Sequence, residues 1–204
     1  MSKRRIEAMK RVAYELDMSY QETDEWGLLG LLKDFKLFRR GLRKRITNIL
    51  HRQDGLMQMD TRVFDYSYTV STGKSSRTFR QTVFFVESKA LGLPEFLMKP
   101  ENFFHRIGTL LGMQDINFEE YPEFSKQYLL RGADEDFIRA TMTDPVLKFF
   151  TVEKDWCVEG VNYYLILYQR GVLLPRTKIK RFYRKGMEMA ELLIRENPMK
   201  KGEP

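Results

Sequence analysis

The chain of 204 residues is 43% hydrophobic and 13% aromatic, which supplies the side chains that one hydrophobic core requires. Lysine and arginine number 35 against 28 aspartate and glutamate residues, and the resulting net charge of +7 indicates a mild attraction to nucleic acid or acidic lipid headgroups. Cys157 is the single cysteine, so the composition excludes an internal disulfide and a zinc site built from several cysteines, and it favours a reducing compartment.

The sequence predicts neither a secretory signal nor a membrane-spanning segment. A basic cluster opens the chain, but charged residues from Glu7 to Asp17 interrupt the apolar stretch that a signal peptide would need. The most apolar windows, 26–32 and 163–168, are much shorter than the roughly 20 residues that cross a bilayer. We therefore expect a soluble, cytoplasmic protein.

The N-terminal part of the chain predicts helix, strand and then helix again. Residues 4–16 carry apolar side chains at three- and four-residue spacing, which is typical of an amphipathic helix, and 18–22 predict a short strand. The apolar run 26–32 predicts a buried helix although it contains two glycines. Leu37 and Phe38 are expected to extend this buried surface.

From residue 44 the hydrophobic period shifts towards two, which predicts strands over 46–51, 63–70 and 77–86. A polar loop with a glycine, 71–76, joins the last two strands, so an antiparallel hairpin is expected there. Because the second arm is apolar on both sides towards its end, it is predicted as a central strand covered on both faces.

The next segments predict a mixture of helices and short strands. Prolines border 95–98, which is therefore predicted to form at most an edge strand. The sequence then predicts a helix over 101–111 ended by Gly112, strands over 116–119 and 124–131, and a helix from Glu135 to Arg139 or Met142 with Asp134 as its N-cap. Further on, it predicts a helix over 144–150, a hairpin of 156–159 with 163–169 across residues 160–162, and a helix over 176–195.

These elements predict a single α+β domain over residues 1–197, with a disordered tail over 198–204. The sheet is expected to be mainly antiparallel or mixed, to contain hairpins, and to be packed by several amphipathic helices. Its predicted core residues are Phe85, Tyr128, Leu130 and Leu165.

No residue pattern in the chain predicts a catalytic, cofactor or metal site. His51 and His105 lack a second histidine or cysteine at ligand spacing, and Cys157 lies in a predicted strand, where a small buried side chain is usual. The run 70–76 ends in Gly-Lys-Ser, but the upstream glycine of a phosphate loop is replaced by Tyr68 and a strand follows, so that motif is excluded.

Three polar residues leave an enzyme open as an alternative. Asp65 and Gln81 lie in the two arms of the predicted hairpin, where they form either a cross-strand hydrogen-bond pair, which we favour, or a polar site. With Asp115 they could assemble a catalytic site from scattered positions.

Two basic clusters predict a partner surface, although such runs also serve solubility alone. A protein or an anionic membrane surface is the expected partner. Nucleic acid is less favoured, because no reader motif is present and the aromatic residues fall at core-like positions. The candidate residues are Arg39, Arg40, Arg43, Lys44, Arg45, Lys178, Arg181 and Lys185.

Several short motifs together resemble an uncharacterised bacterial family, a domain of unknown function. They are Phe64-Asp-Tyr-Ser-Tyr68, Arg80-Gln-Thr-Val83, Leu93-Pro-Glu-Phe96, Gly112-Met-Gln-Asp-Ile-Asn-Phe118 and the run from Pro122 to Gly132. The resemblance covers nearly the whole chain and implies a cytosolic α+β domain that occurs alone or behind N-terminal membrane helices, without assigned catalytic residues. We therefore expect a non-catalytic interaction or binding domain near the inner membrane surface, with an enzyme or a weak nucleic-acid binder as alternatives.

Overall fold

A computed structural model describes residues 2–101 and 115–198, and these residues form one α+β domain built on an antiparallel sheet. The strands are β1 Ser19–Thr23, β2 Leu42–Asp54, β3 Met59–Ser71, β4 Ser76–Glu87, β5 Leu93–Pro100, β6 Tyr128–Gly132, β7 Cys157–Asn162 and β8 Tyr164–Tyr168. The helices are α1 Lys3–Glu15, α2 Leu28–Leu31, α3 Lys36–Arg39, α4 Pro122–Gln127, α5 Glu135–Thr141, α6 Asp144–Val152 and α7 Arg176–Arg195. A short 3₁₀ turn, Leu32–Asp34, connects α2 to α3.

The eight strands follow the order β1-β2-β3-β4-β8-β7-β5-β6, and every neighbouring pair is antiparallel. Because side chains alternate between the two faces of a strand, the sheet contributes to two separate cores. On the first face, which we call the α7 side, helices α1, α4, α5, α6 and α7 pack on residues such as Phe84 and Leu130. On the other face, the α3 side, the segment from α2 to α3 packs on residues such as Tyr66 and Phe85.

The structure confirms the predicted fold class and most of its long elements. Helices α1, α5, α6 and α7 and the β3–β4 hairpin lie where the hydrophobic periodicity places them. The β7–β8 hairpin is also present, but residues 160–162, predicted as its turn, belong to β7, and the turn lies at Tyr163. β4 is central, between β3 and β8, and its residues 82–86 are fully buried, as expected for a strand covered on both faces. The four predicted core residues Phe85, Tyr128, Leu130 and Leu165 are at most 1% exposed.

Strand β5 contradicts the prediction of at most an edge strand, since it lies inside the sheet between β7 and β6. Its prolines fall at the ends of the strand, where they are tolerated: Pro94 lies at an irregularity in the register between Leu93 and Phe96, and Pro100 is the last residue. The proline positions therefore mark the limits of a central strand.

Three smaller predictions are also corrected. Residues 122–127 form helix α4, with Pro122 in its first turn, so that the predicted strand over 124–131 begins only at Tyr128. Residues 116–119 form no strand: the Ile116 amide donates to the Leu130 carbonyl, and the Phe118 amide donates to the Ser125 hydroxyl. In the run 26–32, Leu28 and Leu32 are buried whereas Trp26 is 87% exposed.

Two sequence predictions lie outside the described residues. They are the helix over 101–111 with His105 and its end at Gly112, and nearly all of the tail over 198–204. Among the described helices, none is both long enough and apolar enough to cross a membrane.

Candidate interaction surface

Helix α7 presents one face to the sheet and the other to solvent. Its buried residues include Phe182 and Tyr183, whose rings meet Phe84 edge to face at centroid distances of 6.5 and 6.0 Å. Gly186 permits this close approach, because a Cβ atom there would lie 2.6 Å from the Phe84 ring. The helix is thereby docked firmly, and its polar residues are directed outwards.

Helix α1 lies beside α7 and is fixed to the sheet by a buried ion pair. The Arg5 guanidinium donates to both carboxylate oxygens of Asp65 at 2.8 and 2.7 Å, and it also donates to the Leu174 carbonyl just before α7. Asn48 and Thr82 donate to the same carboxylate at 3.0 and 3.2 Å. All oxygens of the Asp65 carboxylate are therefore occupied by protein donors.

A second set of ion pairs joins α1 directly to α7. The Glu15 carboxylate accepts from Arg176 at 3.2 Å and lies 2.8 Å from the Lys180 ammonium. The hydrogen bond from Lys180, followed by the charges of Lys180 and Arg176, lowers the pKa of Glu15. The outer faces of the two helices consequently form one continuous surface.

This continuous surface carries an excess of unpaired positive charge. Six of its exposed basic residues form no ion pair within residues 2–101 and 115–198, whereas Lys10 and Arg195 pair with Glu7 and Glu196. Tyr14 beside them is 88% exposed. Two of the residues that the sequence predicts for this surface, Lys178 and Arg181, are among them. We call the six residues the α1/α7 basic surface: Lys3, Arg4, Arg11, Lys178, Arg181 and Arg184.

Lys185 does not belong to this surface, although the sequence places it there. Its ammonium lies 3.0 Å from Glu153 and 2.8 Å from Glu188, and the side chain is only 26% exposed. Hydrogen bonds to these two carboxylates raise the pKa of Lys185. The residue connects α7 to the end of α6 and has no charge available for a partner.

The predicted cluster at residues 39–45 lies elsewhere, so the two clusters do not combine. It spans the end of α3, on the opposite face of the sheet from α7, and the start of β2. Arg39 lies 3.7 Å from Asp34, and Arg40 and Lys44 are half-buried. Arg43 and Arg45 are exposed.

The three polar residues of the enzyme alternative are not brought together. Asp65 faces the α7 side, whereas Gln81 faces the α3 side opposite Tyr66 in the β3–β4 register, so the expected cross-strand pair is wrong. Asp65 instead pairs across the strands with Thr82. Asp115 lies at the other end of the sheet, where its carboxylate accepts from the Leu130 amide at 2.9 Å and burial raises its pKa.

Sequence reasoning overlooked Glu159, a carboxylate buried on the α3 side with an exposed fraction of 2%. It accepts from the backbone amides of Lys36 and Leu37 at the start of α3, at 2.5 and 3.1 Å, and from the Tyr168 hydroxyl at 3.0 Å. Burial raises the pKa of Glu159, while the charge of Lys99 opposes that shift. One charged residue in the apolar run of β7 was the only sequence feature that could have indicated it. Its contacts hold α3 against the sheet.

The two remaining candidate residues, His51 and Cys157, lie in environments that are typical of structural residues. His51 contacts the Asp60 carboxylate at 3.0 Å, and no group of three potential metal ligands is present in the part of the chain that the structure describes. Cys157 is 1% exposed, and burial raises its pKa to about 12. A thiol with that pKa is not a nucleophile at neutral pH.

Comparison with known proteins identifies a similar fold. No family model and no curated protein matches the sequence. The crystal structure of the mycobacterial trehalose monomycolate transport factor A, TtfA, superposes with a TM-score of 0.67 over 97% of this chain and 98% of that chain, at 12% identity. At such low identity the comparison shows the fold alone.

Proposed function

We propose that this chain is a non-catalytic interaction domain of the bacterial cytoplasm, and that its α1/α7 basic surface rests on an anionic membrane. The observation that carries the proposal is a group of exposed lysine and arginine residues on two helices that are docked side by side. These residues have no ion-pair partner among the described residues. Surface charges serving solubility alone are usually interspersed with charges of the opposite sign.

The magnitude of the expected attraction is sufficient for reversible binding. Each lysine or arginine near an acidic leaflet contributes about 1 kcal/mol. Loss of Lys178, Arg181 and Arg184 would remove about 3 kcal/mol, which corresponds to roughly 100-fold in affinity. Such binding is also sensitive to salt, because exposed charges are screened over about 8 Å at physiological ionic strength.

Two further observations support a non-catalytic role. The most buried carboxylates, Asp65 and Glu159, are engaged by protein donors that fix α1 and α3. The fold resembles that of TtfA, a protein named as a transport factor. The enzyme alternative would require a different set of residues from Asp65, Gln81 and Asp115, since these lie on different faces and at different ends of the sheet.

The proposal is tested by sedimentation with vesicles of phosphatidylglycerol and phosphatidylcholine, compared with phosphatidylcholine alone. The triple variant Lys178→Gln, Arg181→Gln, Arg184→Gln should remain folded and lose binding to the anionic vesicles. A control variant with the same charge change, Arg43→Gln, Arg45→Gln, Lys74→Gln, should bind as the parent does. Equal binding by both variants would contradict the proposal, and binding to heparin or DNA that persists at about 0.15 M salt would favour nucleic acid.

A further inference from the structure

The two edges of the sheet are protected differently. At the β6 edge, the Leu130 amide donates to Asp115 and the Leu130 carbonyl accepts from Ile116, so this edge is covered. At the β1 edge, the backbone of residues 19–22 pairs with β2 only and forms no other hydrogen bond within the described ranges 2–101 and 115–198. An unpaired edge is a template for another strand, which adds by main-chain hydrogen bonds.

An open groove of about 690 Å³ follows the β1 edge on the α3 side. Its floor consists of side chains from three neighbouring strands, and its wall is the segment 24–31. The Asp24 carboxylate accepts from the amides of Leu28 and Leu29 at 2.7 and 2.8 Å, which fixes the wall in place. The floor residues are Ser19, Gln21, Ile49, His51 and Arg62.

The groove offers apolar and polar groups that the domain itself does not use. Trp26 and Leu31 line it and are 87% and 40% exposed, although the sequence predicted both within a buried helix. The side-chain amide nitrogen of Gln21 is buried and has no hydrogen-bond partner among the residues that the structure describes. The β1 strand has five residues, and a partner strand of equal length would extend over about 17 Å.

The charge along this edge identifies the kind of strand that fits. Residues 17–32 contain Asp17, Glu22, Asp24 and Glu25 but no lysine or arginine, in a chain whose net charge is +7. The basic side chains of the floor are engaged, since Arg62 and His51 both contact Asp60, at 2.8 and 3.0 Å. Pairing of two copies of this edge would bring acidic segments together, whereas a basic strand would be attracted.

We propose that an extended peptide, with lysine or arginine alternating with apolar residues, adds to β1 as a ninth strand of the sheet. Alternate side chains of such a strand point to opposite faces. Its apolar residues pack in the groove against Trp26 and Leu31, and its basic residues point to the α7 side, where they approach Glu22. This site is separate from the α1/α7 basic surface, so the domain can hold a peptide and a membrane at the same time.

The test measures the fluorescence anisotropy of a labelled, acetylated peptide of about eight residues in which lysine and valine alternate, a length sufficient to cover β1. Trp26 emission should shift to shorter wavelength on binding, whereas Trp156 is already buried and contributes a constant background. Two control peptides follow: one alternates glutamate and valine, and the other carries the lysine–valine sequence with alternate amides N-methylated. N-methylation removes main-chain donors but keeps the charge, so it should weaken binding at least tenfold.

Protein variants locate the site. Glu22→Lys should weaken binding at least tenfold, and Trp26→Ala should also weaken it, while the matched variant Glu119→Lys should bind normally. Any of three results would overturn the proposal. They are no binding at about 1 mM peptide, equal binding of the N-methylated peptide, and self-association of the chain through β1. Because the triple glutamine variant of α7 should bind the peptide unchanged, failure of the membrane proposal is distinguishable from failure of this one.

Discussion

The ion pair between Arg5 and Asp65 should be a main structural connection between α1 and the sheet. In Arg5→Met, the Asp65 carboxylate, only 8% exposed, would keep just the neutral donors Asn48 and Thr82. Removal of one partner of a buried pair typically costs about 3–5 kcal/mol, because a buried charge is left without compensation. With a urea dependence of about 2 kcal/mol per molar, the unfolding midpoint should fall by about 1.5–2.5 M.

A double-mutant cycle separates the pair from its surroundings. Urea unfolding followed by circular dichroism is compared for Arg5→Met, Asp65→Asn and the double variant. The double variant should be far more stable than the sum of the single losses allows, because neither charge is then left alone. The free energy of unfolding of Arg5→Met could instead lie within about 1 kcal/mol of the parent's, which is less than the usual effect of breaking a buried pair. In that case Asp65 is not a structural carboxylate, and the enzyme alternative regains a candidate.

The remaining predictions concern burial. Leu130→Ala should lower the free energy of unfolding, measured in urea, by about 2–5 kcal/mol, because a fully buried side chain opposite Met98 is removed. Near-parental stability would show that the strand is misplaced. Gly186→Ala should lower the melting temperature measured by calorimetry, since the added Cβ meets the Phe84 ring; an unchanged temperature would contradict the docking of α7. Glu159 has a raised pKa in the folded protein, so the stability it contributes is present below its ordinary value of 4.5 and is lost as pH rises through the raised pKa. Glu159→Gln should flatten this part of the stability curve against pH, and an unaltered curve would contradict the assignment.

Local patterns were sufficient to predict the elements that depend on nearby residues. The long amphipathic helices and the β3–β4 hairpin follow from apolar spacing and from a polar loop with a glycine. β5 was mistaken for an edge because the proline rule depends on the position within a strand, which sequence does not reveal.

The polar contacts could not be predicted, because their partners are distant in sequence. Arg5 and Asp65 are 60 residues apart, and Glu159 is 123 residues from Lys36. The expected pairing of Asp65 with Gln81 failed because a shift of one residue in register reverses the face of every side chain. Pairing of Lys185 with Glu153 likewise requires knowledge of how α6 and α7 pack.

The most direct test of the central claim is which face of the domain meets an anionic membrane. A fluorophore attached at Thr177→Cys on α7 or at Thr72→Cys on the β3–β4 loop reports this, since both positions are exposed and the native thiol is buried. With phosphatidylglycerol vesicles that carry nitroxide-labelled headgroups, the label at position 177 should be quenched and the label at position 72 should not. Equal quenching at both positions, or quenching at position 72 alone, would contradict the account.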